Sequence, residues 1–202
     1  MSCKLLVATG NPGKAREFGD LLASVESDLC FPAEIGLDLN IPEDGVTYLE
    51  NASQKAISYA ERSGLLTLAD DSGLEVDALE GAPGLHSARY VAGSDCDRTT
   101  ALLRNLEGVA LECRTARFRC VVVVVSPAGS LWHAEGVCEG VIALARSGSG
   151  GFGYDPVFYL PEYKCTMAEL SETQKNRISH RARAIQAILP VLEGLTRSWG
   201  LA

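Results

Sequence analysis

Asp70 and Asp71 end an apolar run, LLTLADDSGLE, and a Ser-Gly turn is expected to follow them. Adjacent carboxylates repel, and neither is stable in a core without a partner. Glu43, Asp44 and Glu50 lie upstream. Two or three carboxylates converging on one point make a hard-cation site, and Mg²⁺ suits it, taking one or two carboxylates plus substrate phosphates. Each acid also has a plainer reading: Glu50 as the partner in a helix cap begun by Thr47, Glu43 and Asp44 as a solvated loop. If Asp70 keeps strand geometry, the two aspartates point to opposite faces. Only one then meets a given ligand, and the other is tied off elsewhere.

Three further groups complement the acids. TGNPGK, from Thr9 to Lys14, puts glycines at a strand-to-helix junction, where backbone N–H groups and the helix N-terminus favour an anion. It lacks the P-loop spacing, and an ordinary Gly-Asn turn is the competing reading. GSGGFGYDP, residues 148–156, sets Phe152 and Tyr154, able to stack on a flat base, among glycines that permit close backbone approach. Asp155, before a proline, is restricted to extended geometry. KNRISHRARA, residues 175–184, gathers Lys175, Arg177, His180, Arg181 and Arg183, although a charge run is usually a solvated face. Acids for a metal, bases for phosphate and aromatics for a ring form a coherent set. His133 and Trp132 read as packing residues, and His86 has no acid near it in sequence. No Ser-His-Asp or Cys-His arrangement supports covalent catalysis.

The elements that position these groups follow from periodicity. KLLVAT reads as a strand, and Ala15, Phe18, Leu21, Leu22 and Val25 recur at helical spacing. Thr47 and Glu50 form a capping box, with Gly64 as the stop. GAPGLHSARY reads as a loop, and residues 97–106 as a helix. RFRCVVVVV reads as a central buried strand. SPAG is a type I turn with Pro127 second and Gly129 fourth, and SLWHAEGVCEGVIALA returns antiparallel. The C-terminal segment is helical, with Ile178, Ala182, Ile185, Leu189 and Leu192 on one face. Strands interleaved with helices plus a hairpin predict an α/β fold with a mixed central β-sheet.

The chain has 202 residues with 47% apolar and 22% charged content, within the globular range and large enough to need no disulfide staples. No apolar run is long enough for a membrane span, and the N-terminus lacks the features of a signal peptide. Seven scattered cysteines with no Cys-x-x-Cys pair suit a reducing, cytoplasmic setting. A net charge of -8 argues against a broad nucleic-acid surface.

TGNPGK, ENASQKA, ADDSGL, GAPGLHSARY, GGFGYDPVF and SHR occur in an order that resembles the inosine triphosphate pyrophosphatases, in wording closer to their bacterial members. The motifs run from Thr9 to Arg181. The resemblance implies one ITPase-like domain over residues 1–202, helices flanking the sheet, and two lobes around a deep nucleotide-binding cleft. It implies a homodimer and Mg²⁺-dependent hydrolysis of ITP, dITP and XTP to the monophosphate and pyrophosphate. Carried over by position, Thr9, Gly10, Asn11 and Lys14 would line the triphosphate site and Lys55 would reach the phosphates. Glu43 and Asp71 would hold the metal, with Asp44 the alternative to Glu43 and Asp71 also the proton acceptor. Asp70 would then hold the turn or a basic neighbour. Ser72 and Arg89 would touch the substrate. Phe152, Gly153, Tyr154 and Asp155 would enclose the nucleoside, and Lys175, His180 and Arg181 would bind the base and its surroundings. Donors such as Arg181 facing a purine 6-oxo group would reject the 6-amino group of adenine.

Overall fold

The computed structural model describes residues 3–199. In chain order it contains β1 (Lys4–Val7), α1 (Pro12–Leu21), β2 (Asp28–Cys30), α2 (Tyr48–Ser63), β3 (Leu66–Val76), β4 (Pro83–Gly84), α3 (Asp95–Asn105), β5 (Thr115–Val125), β6 (Leu131–Ile142), β7 (Phe158–Leu160), β8 (Cys165–Thr166), α4 (Glu172–Ile178) and α5 (His180–Trp199). The strand order is β2-β1-β3-β5-β6-β7-β8, with β4 paired to β3. β1 runs parallel to β2 and β3. The pairs β3–β4, β6–β7 and β7–β8 are antiparallel. The expected α/β architecture, a mixed sheet with flanking helices, is the one found.

The chain divides into two compact units. The first comprises Met1–Asp71, Cys120–Gly136 and Arg181–Ala202, and the second Ser72–Arg119 and Val137–His180. The first unit has a core of Leu5 and Val7 from β1, Phe18 from α1, Leu66 and Leu68 from β3, Val122 and Val124 from β5, and Ala184, Ile185, Ile188 and Leu192 from α5. Trp132 packs on its edge, the packing role read from sequence. The second has its own core, which includes Leu102 of α3 with Leu74, Phe118, Ile142, Phe158 and Met167. Burying such faces is the main source of stability in each.

Local signals placed most element ends well. Gly64 stops α2 in the left-handed conformation at φ +67°, and Gly129 closes the SPAG turn with its N–H on Ser126 O at 2.8 Å. Thr47 caps α2 through the Glu50 N–H at 3.1 Å, but Glu50 accepts from Val46 N rather than from Thr47. Asp155, read as extended because it precedes a proline, instead begins a helical turn, Asp155–Val157. Three further expectations change. The strand does not stop at the two acids: β3 continues through Ser72 and Gly73 to Val76, because Leu74 and Val76 are wanted in the second core. GAPGLHSARY is not all loop, since Pro83–Gly84 forms β4 and Ser87–Arg89 a helical turn. The C-terminal helical segment is two helices, interrupted where Ser179 adopts extended geometry (φ -63°, ψ 156°). That break puts Lys175 on α4 and Arg181 on α5, so the basic run is not one helix face.

Candidate functional site

In the first unit, β3 delivers both acids and alternation separates them, as expected for a strand. Asp70 is 1% exposed. Its Oδ2 lies 2.9 Å from Lys14 Nζ and 3.3 Å from Arg181 Nη2. Burial alone would raise the Asp70 pKa, but Lys14, Arg181 and Lys55 overcome it and hold the carboxyl far below the usual carboxylate range. Asp70 therefore holds basic neighbours. Arg181, also 1% exposed, pairs in addition with Glu17 of α1 and lies over the Phe18 ring. Cys120 Sγ sits 3.8 Å from Asp70 Oδ2. Burial and then the Asp70 charge push that thiol well up, so it stays protonated and inert.

Asp71 has different surroundings. Asn51 of α2 donates Nδ2–H to Asp71 Oδ2 at 2.9 Å, and Asn51 Oδ1 accepts from Gly45 N at 2.8 Å. The amide is thus clamped between the acid and the loop that carries Glu43. The Asp71 carboxyl is raised above its usual range, chiefly by burial; the Asn51 hydrogen bond, Lys14 and Lys55 oppose this, while the charge of Glu43 adds to it. Lys55, one turn along α2 from Asn51, pairs with Glu43 and donates to Asp70 O at 3.1 Å. Glu43 is half-buried, whereas Asp44 is exposed. The structure so distinguishes two acids that sequence left equivalent.

Among the described residues no three His, Cys, Asp or Glu side chains converge as a ready metal cluster. Glu43 and Asp71 form instead a pair whose mutual repulsion a cation would relieve. Two carboxylates with a lysine beside them fit Mg²⁺ completed by substrate phosphates. At the TGNPGK turn, Asn11 caps α1 by accepting from Gly13 N at 2.8 Å and Lys14 N at 3.1 Å, and Asn11 N donates to Thr9 Oγ1 at 3.2 Å. Two of the amides read as anion donors are therefore occupied by the cap. Gly10 sits in this turn with open space around its Cα.

In the second unit, the GFGYD segment is held from several directions. Asp155 Oδ2 accepts from Phe152 N at 2.9 Å and from Lys175 Nζ at 2.5 Å. Lys175 Nζ also lies 4.9 Å from the Phe152 ring centroid, close enough for cation–π attraction. Gly151 and Gly153 have φ of +68° and +62°, which side chains rarely adopt. Gly153 N donates to Asp95 Oδ2 at 2.8 Å. Tyr154 is buried and its hydroxyl donates to Ser87 O at 2.9 Å, while Ser87 Oγ accepts from Leu74 N at 2.8 Å. Burial pushes the Tyr154 phenol up, against the opposing charge of Arg98. His180 stacks on Phe118 with centroids 4.7 Å apart.

The Ham1 family model matches residues 5–191. The dITP/XTP pyrophosphatase of Desulforamulus reducens is 50% identical over 195 residues, covering 95% of this chain and 96% of the relative. That of Listeria monocytogenes serovar 1/2a is 45% identical over 200 residues, covering 96% and 98%. The chain belongs to the Ham1 family. Among solved structures, the Staphylococcus aureus Ham1 protein superposes with a TM-score of 0.84 at 38% identity, covering 95% of this chain and 98% of that one. A nucleoside-triphosphatase / dITP/XTP pyrophosphatase from Mycobacterium abscessus gives 0.74 at 39%, covering 93% and 99%.

In this Ham1 chain, Thr9, Gly10, Asn11, Lys14, Glu43, Lys55, Asp71 and Arg181 all fall in the first unit, and Ser72, Arg89, Phe152, Gly153, Tyr154, Asp155, Lys175 and His180 in the second. Lys14, Lys55, Arg181 and the two aspartates form one charge network. Phe152, Asp155 and Lys175 form another, to which Gly153 and Tyr154 are joined by the chain. Arg89 is exposed at the end of its turn, and Ser72 is half-buried on β3. Sequence reasoning passed over Asn51, Glu17 and Asp95. Asn51 had a usable signal: it stands four residues before Lys55 in ENASQKA, on the same helix face.

Proposed function

We propose that this protein hydrolyses dITP and XTP, and by the same chemistry ITP, to the monophosphate and pyrophosphate, cleansing the nucleotide pool. The observation that carries this is the split identity of the β3 acids. Asp70 is ionised and holds Lys14 and Arg181. Asp71, beside Glu43, has a raised carboxyl, suited to accept a proton from water. The names of the relatives point the same way.

Phosphoryl transfer asks a protein mainly for positioning and charge neutralisation. Lys14 and Lys55 are proposed to grip the triphosphate beside Thr9, Gly10 and Asn11. Both lysines rest on acids here, so a polyphosphate has to outcompete Asp70 and Glu43 for them. Glu43 and Asp71 are the proposed Mg²⁺ ligands; a bound Mg²⁺ supplies further neutralisation of the phosphates. Asp71 is the proposed proton acceptor, oriented by Asn51. Phe152, Gly153, Tyr154 and Asp155 are proposed to enclose the nucleoside, with Ser72 and Arg89 on the substrate and Lys175 and His180 as donors toward the base region. Arg181, paired with Asp70 and Glu17, is proposed to serve the site through those partners and not as a direct donor.

The chain is read as one functional domain, acting on a small-molecule nucleoside triphosphate and not on nucleic acid. Seven free thiols support a cytoplasmic setting, and no described helix is long and apolar enough to cross a membrane. A homodimer is proposed as well, on the likeness to the family alone. The deciding experiment is a nucleoside triphosphate panel with Mg²⁺, scored for monophosphate and pyrophosphate. Selective turnover of the dITP, XTP and ITP set is expected. Orthophosphate alone, equal turnover of ATP and GTP, or tight binding without product refutes the reading. Asp71→Asn should abolish turnover in a folded protein.

A further inference from the structure

We propose that Asp95 is a positioning residue for nucleoside recognition: its carboxylate holds the Gly153 N–H and thereby sets the backbone of the Phe152–Tyr154 segment. The inference rests on the nucleoside role proposed above for that segment. Asp95 is the first residue of α3 and stands 58 residues from Gly153. Gly151 and Gly153 both adopt positive φ, and glycine-rich backbone loses more freedom on ordering than any other. Such a segment receives a base well only if something outside it removes that freedom beforehand.

Three anchors do so. Asp155, the next residue along the chain after Tyr154, takes the Phe152 N–H, and Tyr154 reaches Ser87. Asp95 takes the N–H between them. The Asp95 carboxylate is itself oriented. Arg98 Nη2 lies 2.5 Å from its Oδ1, while Arg98 Nη1 donates to Gly93 O at 2.8 Å, so one guanidinium ties the acid to the turn before α3. Burial pushes the Asp95 carboxyl up, but the Arg98 and Gly153 hydrogen bonds outweigh it and leave it below its usual value. The Asp95 side chain is 47% exposed. The Arg98 side chain is 18% exposed, and an ion pair with one partner so accessible contributes only modestly to global stability. Removing Asp95 therefore acts on the segment and leaves the fold intact.

The test compares Asp95→Ala with Asp95→Asn, whose amide oxygen still accepts from Gly153 but carries no charge. For Asp95→Ala, KM for dITP and XTP should rise about tenfold, the usual effect of losing a charge-assisted hydrogen bond. Its kcat and Tm should stay near wild type, and Asp95→Asn should recover most of the KM. Deuterium exchange of the Gly153 amide in the unliganded protein should speed up in Asp95→Ala and stay slow in Asp95→Asn. Wild-type KM with a protected Gly153 amide in Asp95→Ala overturns the proposal. So does an Asp95→Asn variant as impaired as the alanine variant, which would assign the effect to the Arg98 pair. Wild-type protein without turnover refutes the proposed function instead, and the exchange measurement then still decides whether Asp95 holds the segment.

Discussion

Asp70→Asn isolates the buried charge network, because it keeps the side-chain shape and an acceptor oxygen while removing the charge. At an effective dielectric of about 20, unit charges at the Lys14 and Arg181 separations attract by roughly 5 kcal/mol each before desolvation is counted. What an experiment reads is the cost of stranding the partners, about 3–5 kcal/mol for a buried pair. Two features place Asp70→Asn at the lower end. Lys14 is 16% exposed and can turn toward water, and Arg181 keeps Glu17. A loss of about 3 kcal/mol corresponds to a Tm drop of roughly 6–12 °C for a chain of this size. Because the folded Asp70 pKa is depressed, its stabilisation is complete above the unfolded carboxylate value near 4 and is lost as pH falls through the folded one. Thermal and urea unfolding of both proteins from pH 7 to pH 3 measures this. The gap should be constant from pH 7 to about 5 and shrink below about 4. A variant as stable as wild type at neutral pH, or a gap unchanged down to pH 3, would refute the charge argument.

Other outcomes follow from the same geometry. Asn51→Ala removes a hydrogen bond that lowers the Asp71 pKa, so the acidic limb of the kcat/KM–pH profile should move to higher pH; an unmoved limb would remove Asp71 or Asn51 from the proposed role. Lys175→Met leaves the buried Asp155 carboxylate without its ammonium partner, and should cost about 3 kcal/mol of stability and raise KM, measured by urea unfolding and steady-state kinetics. Chelation with EDTA should stop pyrophosphate release and added Mg²⁺ should restore it; persistence under EDTA would count against Glu43 and Asp71 as metal ligands.

Much of this was legible before folding. The strand-turn-helix opening, the Gly64 stop and the SPAG turn are written in local residue types, because each depends on φ preferences and capping over a few residues. The opposed directions of Asp70 and Asp71 follow from the two-residue period of a strand. The break at Ser179 was not legible, since the apolar stripe runs across it and only packing in two separate cores separates Ile178 from Ile185.

By itself, the sequence determined the inventory of the site: which acids, bases, glycines and aromatics were present, and which short elements carry them. Tertiary structure decided the pairings. Arg181 meets Asp70 across 111 residues and Glu17 across 164, Asn51 reaches Asp71 across 20, and Asp95 reaches Gly153 across 58. Local spacing holds no record of such partners. They are set by where packing seats α1, α2 and α5 around β3 in the first unit, and α3 beside the glycine-rich segment in the second. A buried charge is stable only with a partner at hydrogen-bond distance, and only the folded chain supplies that distance.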